Sequence, residues 1–152
     1  MKIFRYLDQA GSMGFGRFDE QGQTFMIIQK DDGSFEATDQ SITPFQLLTP
    51  IDFRIIYAIG LNYRAHAEET GTEIPKHPMV FMKAPTAVQN PGDPIVLPRF
   101  LRSDKVDYEG ELGVVIGRPC KNVSPEEALS YVLGYTCVND VSARDWQKEK
   151  GG

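Results

Sequence analysis

Apolar and polar positions alternate in short bursts through the first third of the chain, and turn residues part the bursts. Lys2 to Leu7, Gly14 to Phe18 and Thr24 to Gln29 read as strands. AGSMG and DEQGQ separate them, and Lys30-Asp31-Asp32-Gly33 closes the third. Thr43 to Leu48 reads as one helical turn before Pro50. Residues 1–53 are expected to form a small β-rich unit that leans on the remainder of the fold, residues 54–152.

The texture changes at Ile55. Ile55 to Ile59 is an unbroken apolar run ending in Gly60, the pattern of a strand buried on both faces. Asn62 is placed to cap a short helix from Tyr63 to Thr70, with Gly71 as its stop. Val80 to Lys83 and Ile95 to Leu97 read as short strands, and Val106 to Gly117 as one long strand. Ser124-Pro125-Glu126-Glu127 is a capping box with proline at the first helical position, opening a helix that runs to about Val132. Gly134 ends that helix, Tyr135 to Val138 is another strand, and a last short helix runs through Gln147. The pattern is β-rich and of the α+β class.

Composition narrows the function. The chain has 152 residues, 41% of them apolar, enough for a folded core. Its formal charge is -5 with no long basic run, so a nucleic-acid backbone or an anionic membrane is repelled. A small anionic substrate is repelled as well, unless a metal or local cations reverse the potential. No apolar run approaches the ~20 residues of a membrane span. The opening MKIFRYLDQAGSMGFG lacks an export-type apolar stretch, and with few cysteines this reads as a cytoplasmic protein. Cys120 and Cys137 lie in no CxxC and beside no histidine cluster, and read as buried reduced thiols.

Candidate chemistry begins with Glu109 and Glu111. On a continuous strand, residues two apart share a face. Two carboxylates on one face repel, and a hard divalent cation such as Mg²⁺ or Mn²⁺ relieves that conflict. Taken alone, such a pair is more often simply a wet face. Apolar Tyr108, Leu112, Val114, Val115 and Ile116 favour a buried setting, and Gly110 and Gly113 leave room on the opposite side. Asp140, just past another strand, supplies a third carboxylate. Asp104 and Asp107 stand as supporting groups. His66 and Glu69 are three apart on the short helix and share its face. A carboxylate beside an imidazole suits a general base acting on water, although the same spacing also describes an ordinary surface pair. His77 reads as an exposed loop residue.

Four stretches, taken in order, resemble the fumarylacetoacetate hydrolase family. They are IYAIGLNYRAHAEETG, PMVFMKAPTAV, VDYEGELGVVIG and GYTCVNDVSARDWQ. The resemblance covers Arg54 to Gly152 and implies a mixed β-roll or sandwich, with residues 1–53 as a small N-terminal unit. It implies that Glu109, Glu111 and Asp140 hold Mg²⁺ or Mn²⁺ and that His66 with Glu69 activates water. It places Arg144 and Gln147 at the substrate's carboxylate or oxo end, and gives Lys83 a substrate-binding or structural role. The implied reaction is metal-dependent hydrolysis of a carbon–carbon bond in an acylpyruvate-like 2-oxo acid, of the kind met in aromatic catabolism, by a homodimer. Decarboxylation, hydration, isomerisation and ureidoglycolate cleavage occur in the same family.

The family's catalytic domain continues past the position of Gly152 and adds a lysine in a GKS-type segment. The sequence therefore reads as part of a longer protein. The alternative of another class is an inactive fragment that only associates with a second chain.

Overall fold

A computed structural model describes residues 1–150. The first five strands are β1 (Lys2–Leu7), β2 (Met13–Phe18), β3 (Thr24–Gln29), β4 (Phe35–Ser41) and β5 (Gln46–Leu48), in one sheet of order β4-β3-β2-β1-β5. Asp8 and Asp19 build the first two hairpin turns in the same way. The Asp8 carboxylate accepts from the backbone N–H of Ala10 and Ser12, and that of Asp19 from Gln21 and Gln23. Phe4, Tyr6 and Ile27 are buried in this sheet, and the Phe4 ring lies 4.6 Å from that of Phe18.

One expectation for this region changes, and one strand goes beyond the expected set. Thr43 to Leu48 is not a helical turn: Gln46–Leu48 is β5, because the open edge of β1 takes it in antiparallel pairing, Leu7 opposite Gln46. Phe35–Ser41 carries no strong alternation, yet pairs with β3 as β4. In both cases an available edge overrides local sequence preference.

The remainder is built from short antiparallel pairs. β6 (Ile56–Gly60) pairs with β7 (Met79–Lys83), and between them lies α1 (Arg64–Thr70). Leu61, with φ of 51°, turns the chain sharply from β6 toward the helix. Tyr63 occupies the N-cap with no side-chain capping bond, so Asn62 is not the cap. Gly71 closes the helix at φ 63°, in the left-handed conformation expected of a stop. β6 is not buried on both faces: Tyr57 is 62% exposed.

The stretch from Val106 is not one strand. β8 (Val106–Asp107) stops, Tyr108 and Glu109 intervene, and β9 (Gly110–Ile116) begins. β8 pairs with β11 (Ser142–Ala143), while β9 pairs with β10 (Val132–Asn139). The break lets one stretch of chain serve two partners. Between β9 and β10 lies α2 (Pro125–Ala128), where Ser124 Oγ accepts from the Glu127 N–H as the capping box requires. The helix ends earlier than expected, and a 3-10 turn over Leu129–Tyr131 leads into β10. Gly134 therefore lies within a strand, at a register shift, instead of ending a helix. Ile95 to Leu97 forms no strand and lines a shallow hollow with Val106, Val141 and Ala143. A π-helix, Trp146–Lys150, follows β11. Cys120 and Cys137 are both exposed and unbridged, which corrects the expectation of burial.

Candidate functional site

The break before β9 places the carboxylates. Glu109 sits in the gap between β8 and β9, and Asp140 sits just past β10, directly across from it. The Asp140 N–H donates to the Glu109 carbonyl at 2.9 Å, and the Glu109 N–H donates to Asn139 Oδ1 at 3.1 Å. Glu111 follows on β9 opposite Val138. Glu109, Glu111 and Asp140 are all half-buried.

Charge shows that the three belong together. The Glu111 carboxyl is held above its ordinary value, first by burial, then by the negative charges of Asp140 and Glu109; Lys83 opposes the rise. Lys83, at the end of β7, forms an ion pair with Asp140. Arg144 forms a second pair, Nη1 to Glu109 Oε1 at 3.0 Å, and its Nε donates to Asp107 Oδ2 at 3.0 Å. Arg144 Nη1 also donates to Gln147 Oε1 at 3.1 Å. Burial acts to lower the Arg144 pKa, but Asp107 and Glu109 override it and raise the value further. Local cations thus face a local cluster of acids in a chain whose overall charge is -5.

The acid donors suit a hard divalent cation in number and type. Their side chains are engaged elsewhere: Glu109 with Arg144 and Ser142, Asp140 with Lys83. Among the described residues, no three acids, histidines or cysteines form a closed ligating set. The negative charges that Asp140 and Glu109 bring to Glu111, opposed by Lys83, suit a cation here.

His66 and Glu69 lie on α1, both exposed, with Ala67 between them buried. No hydrogen bond or ion pair joins them among the described residues. The helix is tied to the carboxylate strand at its start, where the Leu112 N–H donates to the Tyr63 hydroxyl at 3.4 Å. Gly113 lies on the same face of β9 as Glu111, not on the opposite one. A Cβ there would meet Val138 Cγ2 at 2.8 Å and Thr136 Cγ2 at 2.9 Å, so the missing side chain admits β10. His77 is exposed in its loop, and Asp104 pairs with Arg102 at the surface.

Sequence reasoning passed over Ser142, whose hydroxyl donates to Glu109 Oε1 at 3.0 Å. Its position two residues after Asp140 was the available signal. Asp107 could not be assigned to Arg144 until the Ser142–Asp107 register was seen.

Residues 55–152 match the family model described as fumarylacetoacetate (FAA) hydrolase C-terminal. The chain belongs to the fumarylacetoacetate hydrolase family. A fumarylacetoacetate hydrolase domain-containing protein 2 homolog from Dictyostelium discoideum is 53% identical over 105 residues, 69% of this chain and 34% of that one. The solved 5-carboxymethyl-2-hydroxymuconate delta-isomerase from Mycobacterium smegmatis superposes with a TM-score of 0.81 at 37% identity, covering 100% of this chain and 59% of that one. The fumarylacetoacetate hydrolase from psychrophilic Exiguobacterium antarcticum gives 0.79 at 32% identity, covering 98% and 58%. This chain thus spans about half the length, or less, of the curated relatives it matches. The β-rich α+β fold is that of the family, whose solved members include a hydrolase and an isomerase. Among the described residues, no helix is long and apolar enough to cross a membrane.

Proposed function

We propose that the protein is a divalent-metal-dependent hydrolase that cleaves a carbon–carbon bond in a small acylpyruvate-like 2-oxo acid. The observation that carries the reading is the convergence of Glu109, Glu111 and Asp140 with Lys83 and Arg144. Glu109, Glu111 and Asp140 would hold Mg²⁺ or Mn²⁺. When bound, such a cation supplies Lewis-acid polarisation of the substrate's oxygens. Arg144, with Gln147 beside it, binds the carboxylate or oxo end of the acid and offsets the chain's net negative charge. Lys83 holds Asp140 in place and lends a second positive charge.

His66, with Glu69 one helical turn away, takes a proton from water as α1 closes over the acid. The hydroxide adds to the distal carbonyl carbon. The bond from that carbon to the pyruvyl methylene breaks, and its electron pair leaves with the pyruvate fragment, which is then protonated. The products are a carboxylic acid and pyruvate, so water is consumed and no redox partner is needed.

The proposal includes residues 1–53 as a separate small unit and a homodimer, as the family resemblance implies, and a cytoplasmic setting, as the few cysteines and the opening stretch suggest. A second reading, isomerisation of an unsaturated oxo acid, is favoured by the Mycobacterium smegmatis isomerase, which is 37% identical.

The test is Mg²⁺ and Mn²⁺ binding to the purified protein by calorimetry, with Glu109→Gln alongside, followed by pyruvate release from an acylpyruvate panel. Metal affinity should fall more than about tenfold in the variant. Equal affinity overturns the ligand assignment. Metal binding with conversion but no pyruvate moves the reaction to the isomerase reading.

A further inference from the structure

Asp145 follows Arg144 directly, is 3% exposed, and has no role in the chemistry above. Ser103 and Asp104, on a distant arc of chain, are among its partners. The Ser103 hydroxyl, itself 9% exposed, donates to Asp145 Oδ1 at 2.5 Å. The Asp104 N–H donates to Oδ2 at 3.5 Å, and the Trp146 N–H to Oδ1 at 3.0 Å. The Lys105 N–H donates to Ser103 Oγ at 3.2 Å, and the Trp146 indole N–H to the Arg102 carbonyl at 3.3 Å.

The same arc leads straight to the site. The Arg144 N–H donates to the Lys105 carbonyl at 2.8 Å, after which β8 pairs with β11, Ala143 opposite Val106 and Ser142 opposite Asp107. Asp107 then accepts from Arg144 Nε. One end of the 102–107 arc is therefore pinned by Asp145, and the other end aims the Arg144 side chain. Ser142, on the paired strand, bonds Glu109.

We propose that Asp145 is the positioning residue for Arg144: its buried carboxylate fixes the 102–107 arc so that Asp107 orients the guanidinium toward the site. This rests on the substrate-binding role given to Arg144 above. A carboxylate is the group required, because it accepts from a hydroxyl and two backbone N–H groups at once. An amide at this position would turn its own N–H₂ toward one of those donors.

The test is solvent exchange of the Arg144 Nε–H by NMR, its resonance identified by its loss in Arg144→Lys. Exchange should quicken by about tenfold in Asp145→Asn and in Ser103→Ala, as expected for one lost charge-assisted hydrogen bond. Ser103→Ala carries the test if Asp145→Asn does not fold. Pyruvate affinity, measured with Mg²⁺ present, should fall in both variants and should not fall further when Arg144→Ala is already in place. Unchanged exchange in the folded variants overturns the proposal. So does an equal further loss in the Arg144→Ala background, which marks Asp145 as a general structural support. If the wild-type protein binds no pyruvate, the substrate reading fails, while the exchange rates still decide the role of Asp145.

Discussion

Lys83, the last residue of β7, is ion-paired with Asp140, the first residue past β10. The two come from pairs of strands that share no hydrogen-bonded register, so the contact joins separate parts of the fold at the site. Lys83 also restrains the Glu111 carboxyl, which burial and the charges of Asp140 and Glu109 hold above its ordinary value.

Lys83→Met is expected to raise the Glu111 titration further, because the opposing charge of Lys83 would be gone while burial, Asp140 and Glu109 all push upward. A carboxyl-carbon NMR titration of wild type and variant measures this directly. A downward shift would show that another cation governs Glu111.

Glu111 also gives stability a pH dependence. Its folded-state pKa lies above the ordinary 4.5, so the folded protein binds this proton more tightly than the unfolded chain does. Stability from this group is therefore fully present below 4.5, and is lost as pH rises through the raised folded value. Glu111→Gln should remove that decline while weakening metal binding. Urea midpoints across pH, with no metal added, check the first part; an unchanged slope would contradict it.

Arg144→Lys keeps the charge but loses the planar fork that reaches Asp107, Glu109 and Gln147 together. KM for a 2-oxo acid should rise by about tenfold or more. Steady-state kinetics decide, and a KM within twofold of wild type would remove Arg144 from the substrate's carboxylate end.

Gly113→Ala should destabilise the protein by about 1–3 kcal/mol, since the new methyl group meets Thr136 and Val138 across the strand pair. Ser124→Ala should cost about 1 kcal/mol through the lost helix cap. Denaturant unfolding ranks the two, with Gly113→Ala also expected to perturb Glu111 and metal affinity while Ser124→Ala leaves both alone.

Local signals served the sequence well where chemistry is local. The Ser124 box, the Gly71 stop and the strands β1, β2, β3 and β7 are legible from neighbouring residues. β4 and β5 are not, because each forms on an edge supplied by a distant strand. The Glu109–Glu111 pair was read from strand alternation, yet Glu109 itself lies in the break between β8 and β9. What groups these acids is the pairing of β9 with β10 and of β8 with β11, which spacing alone does not contain. Cys137 reads as a buried thiol because it lies in no CxxC and beside no histidine cluster; its side of β10 is in fact exposed.

β9 is a wall with two owners. Glu111, Gly113 and Val115 occupy its sheltered face, while Leu112, Val114 and Ile116 stand 60%, 50% and 57% exposed on the other. A strand has little thickness, so crowding or emptying the apolar side shifts the backbone that the acidic side hangs from. Variation at Val114, which lies on the opposite face of β9 from Glu111, would then retune the affinity of the carboxylate cluster from behind, and mutational sensitivity at this site should extend to residues whose side chains never face it.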